Sequence, residues 1–215
     1  MIVKTASAHH NPAAMQKSPS QSSAFTLIEL LVVMAIIAIL IGLLFPAFRA
    51  VQNQAKQTQA KNDLTQIVNA VNAFYTDYGK YPLVTADTKY GPAGTTANNL
   101  LFNELRAQGA TQNPRQIVFI NPPYVKTPAN PRSGIATQAT TINGISVAIN
   151  DYVDPWGTPY NVAIDGGYDN QLANPYTANA GPSTLAIGVI AWSWGRDQVQ
   201  GTTDFKASDD VISWQ

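Results

Sequence analysis

One stretch limits what the rest of the chain can be. Residues 24–48 read AFTLIELLVVMAIIAILIGLLFPAF and are apolar almost throughout. Positions 30–45 carry no charge, and the flanking apolar residues extend the span to about 20–24 residues, enough to cross a hydrocarbon core of about 30 Å. A single acid, Glu29, breaks the run near its start. Taking a carboxylate into hydrocarbon is costly, so an acid in such a segment marks function and calls for a partner. A secretory signal peptide fits poorly. Its apolar core is about 7–15 residues long and ends at a small-residue cleavage site. Here the run is longer and passes without a break into a polar, helix-favouring segment. A plain signal anchor holding an exported domain is the other simple reading.

Composition narrows the chemistry. The chain has 215 residues, room for one membrane helix and one globular domain, and no Cys. It therefore has no disulfide, no thiol nucleophile and no Cys-ligated metal. The formal net charge is zero, which excludes the basic footprint of a nucleic-acid binder. That zero hides a gradient. Residues 83–150 carry five basic and two acidic side chains, a balance of +3, whereas residues 151–215 carry two basic and eight acidic ones, a balance of −6. All eight acids are Asp; the only Glu residues of the chain are Glu29 and Glu104. An Asp-rich end with little compensating charge points to cation binding.

The chain divides by pattern into four parts. Residues 1–24 are polar, with Lys4 and Lys17 and no acid. Positive flanks stay on the cytoplasmic side of a membrane segment, so the C-terminus is expected outside. His9 and His10 fall in this leader and read as solvated chain rather than a metal site. Residues 25–48 form the apolar half of a helix, and residues 49–78 its second half. Between positions 47 and 78 there is no Gly or Pro; positions 52–63 are polar nearly all round, and Leu64, Ile67, Val68, Val71, Phe74, Tyr75 and Tyr78 then recur at three- and four-residue steps. The whole helix would be about 50 residues, or about 80 Å long. Pro46 removes one helical hydrogen bond and predicts a kink, with Gly42 one turn earlier loosening the same region. Gly79 and Pro82 end the helix.

Residues 79–215 read as a globular β-rich domain. The expected elements are a short helix at 98–108 closed by Gly109, strands at 117–120, 145–149, 160–164 and 185–194, a loop at 122–144 and a second loop at 165–184 inserted between two sheet strands. Trp192 and Trp194 share one face of the last long strand and are expected in the core. The string DPWGTPY at 154–160 sets a tight turn before a strand. The fold class is α+β: a long N-terminal helix packed on a small antiparallel sheet domain with long loops.

Phe25-Thr26-Leu27-Ile28-Glu29-Leu30-Leu31 after a polar leader resembles the processing signal of type IV pilins and of type II secretion pseudopilins. The resemblance implies that a membrane-embedded prepilin peptidase cuts between Ala24 and Phe25 and methylates the new amino terminus. The family usually has Gly before the cut; Ala24, the nearest residue in size, implies slower cutting. Glu29 would then pair with the N-terminal amine of a neighbouring subunit in a filament, each charge offsetting the other's desolvation and setting the axial register. Pilin-like helices carry a Pro at the place of Pro46, near which the helix can melt on assembly. The turn at 154–160 is similar to that of the major pseudopilins. The final stretch, Gly195-Arg196-Asp197 through Asp204 to Asp209-Asp210-Val211-Ile212-Ser213-Trp214, resembles their calcium loop, which implies Asp197 and Asp210 as ligands, with Asp209 and Asp204 beside them. It lacks the alternating acids, central Gly and closing Glu of an EF-hand.

No phosphate-binding glycine loop, no G-x-S-x-G and no H-E-x-x-H occurs, and a chain without its leader has no His. No enzymatic role is expected. The resemblance implies a subunit of a type II secretion pseudopilus: anchored once in the inner membrane, with its C-terminal domain in the periplasm, it would polymerise with itself and with minor pseudopilins. An inner-membrane assembly platform would drive it, and exported proteins would be its cargo. A type IV pilus subunit is the alternative; such pilins often carry a C-terminal disulfide, which a Cys-free chain cannot form. A membrane-anchored periplasmic binding module that never polymerises is the third reading, and it has no use for Glu29.

Overall fold

The structure, a computed structural model, describes residues 25–109, 111–201 and 204–215. The leader, with Ala24 and the two histidines, lies outside the described residues. The chain divides into two compact units with the boundary between Ala47 and Phe48.

Helix α1 runs from Leu27 to Tyr78, 52 residues, and continues through Pro46. Pro46 has no N–H, so the Gly42 carbonyl cannot receive its usual bond from that position. In the first unit the apolar side chains are exposed all round: Phe25 is 82%, Leu27 87% and Leu43 72% exposed. This segment is long and apolar enough to cross a membrane. In the second unit α1 buries Ala60, Asp63, Leu64, Ile67, Ala70, Val71 and Phe74, the three- and four-residue steps of a single stripe. It ends where expected: Gly79 takes φ +69°, and its N–H reaches the Tyr75 carbonyl at 2.8 Å.

The second unit is built on a four-stranded antiparallel sheet. Its strands are β1 (Thr88–Tyr90), β6 (Asn161–Ile164), β9 (Val189–Ser193) and β10 (Val211–Ile212), in the order β1-β6-β9-β10. Three two-stranded pairs complete the β structure. They are β2 (Gly134–Ile135) with β5 (Tyr152–Val153), β3 (Thr140–Ile142) with β4 (Ile145–Val147), and β7 (Leu172–Ala173) with β8 (Thr184–Leu185). Helix α2 (Asn98–Leu105) packs with α1 on one face of the large sheet. The α+β class is as expected.

Strand periodicity sorts the core into two layers. Val162, Ile164, Val189 and Ala191 face α1 and α2, joining Leu64, Ile67, Val71, Phe74, Leu101, Phe102 and Leu105. The alternate residues Ala163, Ile190 and Trp192 face the other way, where Leu172, Tyr176, Ala180 and Leu185 cover them. Trp192 is fully buried in this second layer, whereas Trp194, also expected in the core, is half-buried and packs against its edge.

Several local expectations change. Residues 117–120 form no strand: the Phe119 and Ile120 amides both turn to the Leu105 carbonyl, at 2.8 and 3.3 Å, and the apolar run serves to seat Phe119 and Ile120 on the helices. The expected loop at 122–144 contains β2 and β3. Helix α2 stops at Leu105, not 108, because Ala107 takes φ +57° and the Gln108 amide reaches back to the Asn103 carbonyl at 2.7 Å. That closure normally uses Gly, which hid it in the sequence. The strand expected at 185–194 is β9 alone, with Leu185 in β8. Residues 165–184 are an insertion between the paired strands β6 and β9, as expected, but they do more than loop: they lid the second face of the sheet.

Candidate assembly segment and candidate cation site

The N-terminal segment is organised by Thr26 and Glu29. The Thr26 N–H and hydroxyl both donate to Glu29 Oε2 at 2.8 Å, and the Glu29 N–H donates to Thr26 Oγ1 at 3.2 Å. This is a reciprocal capping box at the start of α1. Its signature, Thr-x-x-Glu ahead of an apolar run, was readable at 26–29 and went unused in the sequence reading. Phe25 stands just before it, exposed.

The turn at 154–158 is a rigid block. Asp154 is fully buried. Its Oδ1 accepts the amides of Trp156, Gly157 and Thr158 at 2.9, 2.7 and 2.9 Å, and Oδ2 accepts the Ser193 hydroxyl at 2.6 Å. Burial pushes the Asp154 carboxyl up, against the pull of these four donors. Gly157 at φ +103° supplies a backbone that side-chain-bearing residues rarely adopt. Ser193 in turn accepts the Gly195 N–H at 3.1 Å, linking the turn to the final loop.

Three of the four acids expected in that loop come together. Carboxylate oxygens of Asp197, Asp209 and Asp210 lie within 4.8 Å of one another. Asp209 Oδ2 accepts the amides of Arg196 and Asp197 at 2.7 and 3.2 Å. Asp210 is 7% exposed; its Oδ2 accepts the Tyr176 hydroxyl at 2.7 Å and the Gly201 amide at 2.8 Å. Its Oδ1 is buried and takes no hydrogen bond among the described residues. Burial, then the charges of Asp197 and Asp209, push the Asp210 carboxyl up to about 6, against the Gly201 and Tyr176 bonds. Asp204 does not join. It caps the short 3-10 turn Phe205–Ala207, accepting the Lys206 amide at 3.0 Å, and it takes the Asn179 side-chain amide at 2.7 Å, which holds its carboxyl low.

The donor set fits a hard divalent cation. It is all oxygen, it crowds three acids that form no salt bridge among the described residues, and one buried oxygen has no partner among them. The other acids of this half have structural work. Asp151 accepts the amides of Asn99 and Ala148 at 2.9 and 2.6 Å, and Asp165 those of Tyr168 and Asn170 at 2.7 and 2.6 Å. The acidic excess of residues 151–215 is thus largely turn-capping.

The sequence reading missed Gln198, Asn143 and Tyr176, whose roles come from remote contacts. It also missed Asp63, the acid on the buried stripe of α1, whose Oδ2 accepts the Tyr160 hydroxyl at 2.8 Å. Lys61, two residues earlier, donates to the Ile212 carbonyl at 2.7 Å and to the Gln215 carbonyl, tying α1 to the C-terminal segment.

The family described as the prokaryotic N-terminal methylation motif matches residues 19–45. The chain is similar to type II secretion system core protein G of Pseudomonas aeruginosa, 27% identical over 194 residues, which cover 90% of this chain and 96% of that protein. It is also similar to the type IV major pilin protein PilA of Myxococcus xanthus, 35% identical over 68 residues, 32% of this chain and 31% of that one. A third relative is the fimbrial protein EcpC of Eikenella corrodens, 33% identical over 89 residues, 41% of this chain and 56% of that one. No solved structure matches the chain.

Proposed function

We propose that this pilin-like chain is a structural subunit of the pseudopilus of a type II secretion system, with no enzymatic role. The observation that carries the proposal is the similarity to core protein G, which runs nearly end to end in both chains, while the pilin relatives match less than half of this one. The exposed apolar helix bearing one acid supports it.

In this proposal the precursor sits once in the inner membrane with its leader in the cytoplasm. Prepilin peptidase cuts between Ala24 and Phe25 and methylates Phe25. Residues 25–48 then leave the lipid and pack against other copies, and Glu29 faces a neighbour's terminal amine. Pro46 gives the helix a place to yield. An inner-membrane platform drives assembly with minor pseudopilins, and the filament moves exported proteins outward. Calcium, held by Asp197, Asp209 and Asp210 with backbone carbonyls, would neutralise the acid cluster and fix the final loop against the sheet; its support is the fit of the donor set.

Glu29 has two possible duties, capping and pairing, and two substitutions separate them. Glu29→Gln keeps an N3 side chain that completes a capping box but removes the charge. Glu29→Ala removes both. With processing verified by N-terminal sequencing, both variants are expected to lose filaments in sheared-cell fractions and to lose export. Filaments from Glu29→Gln at the unaltered level would reduce Glu29 to a cap and overturn its pairing role. The location of the filament, confined to the envelope or extending from the cell, decides between pseudopilus and type IV pilus.

A further inference from the structure

The short segment 195–201 of the final loop is exposed at Arg196, Asp197 and Val199 (63%), yet Gln198 between them is 6% exposed. Gln198 also takes φ +62°, a left-handed backbone that glutamine seldom adopts. A buried polar side chain on a strained backbone in an exposed loop needs a reason, and its partners supply one. Gln198 Nε2 donates to the Trp156 carbonyl at 3.0 Å, and Gln198 Oε1 accepts the Asn143 side-chain amide at 2.5 Å. Asn143, at φ +48°, is at the tip of the β3–β4 hairpin beside Gly144 at φ +85°. The Trp156 carbonyl also accepts Arg132 Nη1 at 2.7 Å. One side chain therefore pins three segments that are far apart in sequence: the final loop, the 154–158 turn and the hairpin tip.

The Asp197 carboxylate is exposed and accepts only the local Val199 amide, at 2.9 Å on Oδ1, a bond that travels with the loop and does not fix it to the domain. Asp197 is held from both sides. On one side Gly195 is bonded to Ser193, which is bonded to Asp154; a Cβ on Gly195 would overlap the Asp209 carbonyl, so the two stretches of loop touch there. On the other side stands Gln198. Three carboxylates within 4.8 Å repel one another, and an exposed loop would relieve that repulsion by swinging Asp197 into water. The anchors at 195 and 198 oppose that movement.

We infer that Gln198 is the positioning residue of the acid cluster: through the Trp156 carbonyl and Asn143 it holds the Asp197 carboxylate beside Asp209 and Asp210, and so sets how tightly the cluster binds calcium. The inference rests on the proposed calcium site, and it assigns to the 154–158 turn a part in building that site. Gln198 touches no cation in this scheme; it acts through Asp197.

The test is calorimetric titration of calcium chloride into the full chain in detergent micelles, paired with thermal melting in the absence of metal. Gln198→Met keeps the length of the side chain and removes both hydrogen bonds. Gln198→Gly suits the left-handed backbone and removes the anchor without strain, so one of the two reports even if the other folds poorly. Calcium affinity is expected to fall about ten- to a hundred-fold in both, the range seen when supporting partners of metal ligands are lost, while metal-free melting moves by only a few degrees. A residue with a merely structural role would lower the melting temperature and leave the affinity of the folded protein unchanged; that result overturns the inference and leaves the calcium site standing. Absence of calcium binding in the unaltered chain overturns the calcium site, and the role of Gln198 with it.

Discussion

The two ends of helix α1 are one backbone element with opposite surroundings. Residues 27–47 expose apolar side chains on every side, whereas Ala60, Leu64, Ile67, Val71 and Phe74 are at 0% exposure. The difference lies in the pattern and not in helix propensity. Apolar residues all round demand an apolar environment all round, supplied by lipid or by other copies, and a stripe at three- and four-residue steps demands one packed face. Each end also carries one acid against its surroundings. Glu29, in the apolar run, is satisfied within its own turn by Thr26. Asp63, on the buried stripe, is satisfied across the domain by Tyr160. The first can change partners without unfolding anything; the second cannot.

The sharpest break between the two ends is a matched pair of truncations. Phe74→Ala removes a fully buried ring packed on Tyr78 and Phe119, with centroids at 4.6 and 5.3 Å. It is expected to cost about 3–5 kcal/mol and to lower the melting temperature of the full chain in detergent by roughly 10 °C. Leu43→Ala, at a position 72% exposed, should leave melting unchanged. Similar losses from both would mean that the apolar end contributes to domain stability and would erase the distinction. Next in size is Asp154→Ala, which strands three amides and the Ser193 hydroxyl. A loss of about 3 kcal/mol is expected in denaturant unfolding; an effect under half of that would show that the turn holds its shape without its carboxylate.

The smallest effect sharpens the contrast between the acids. Burial raises the Asp63 carboxyl, with the Tyr160 and Tyr152 hydroxyls opposing, and it raises Asp210 to about 6. Groups raised in the folded state give their full stability below the unfolded value, about 3.9 for Asp, and lose it as pH rises through the folded one. Metal-free melting should therefore fall by a few degrees between pH 5 and pH 7.5, and this slope should flatten in Asp63→Asn and in Asp210→Asn. Calcium requires the ionised acids, so the stabilisation it adds should grow over the same interval, to about 2.7 kcal/mol at a hundred times Kd. An equal shift with magnesium, or a calcium shift independent of pH, would argue against the acid cluster as its site.

What was legible followed from short-range pattern. The 3.6-residue stripe foretold Leu64, Ile67, Val71 and Phe74 as packed residues of α1, although Tyr75 on the same stripe is 40% exposed, and the run at 185–194 foretold a strand, of which 189–193 is the part that forms β9. Residues 117–120 misled because an apolar run of β-branched residues looks alike whether it pairs as a strand or plugs a gap, and only the Leu105 carbonyl decides. The lid formed by 165–184 was hidden because its buried side chains, Leu172, Tyr176 and Ala180, stand isolated among Gly, Pro and polar turn residues with no apolar run to mark them. In the final loop, three acids of the cluster could be named and Asp204 misplaced for one reason: spacing along a loop does not say which carboxylates fold back together.

The sequence alone determined that a long helix would begin in an apolar environment, carry one acid near its start, and end at Gly79 on a small sheet domain, because hydrophobic periodicity, a missing N–H and a glycine act over one or two turns. Only the tertiary structure decided that Asp154 reaches Ser193 and that Gln198 bonds the Trp156 carbonyl and the Asn143 side chain. Those are contacts between segments up to dozens of residues apart, and their free energy exists only once the sheet has brought the segments together.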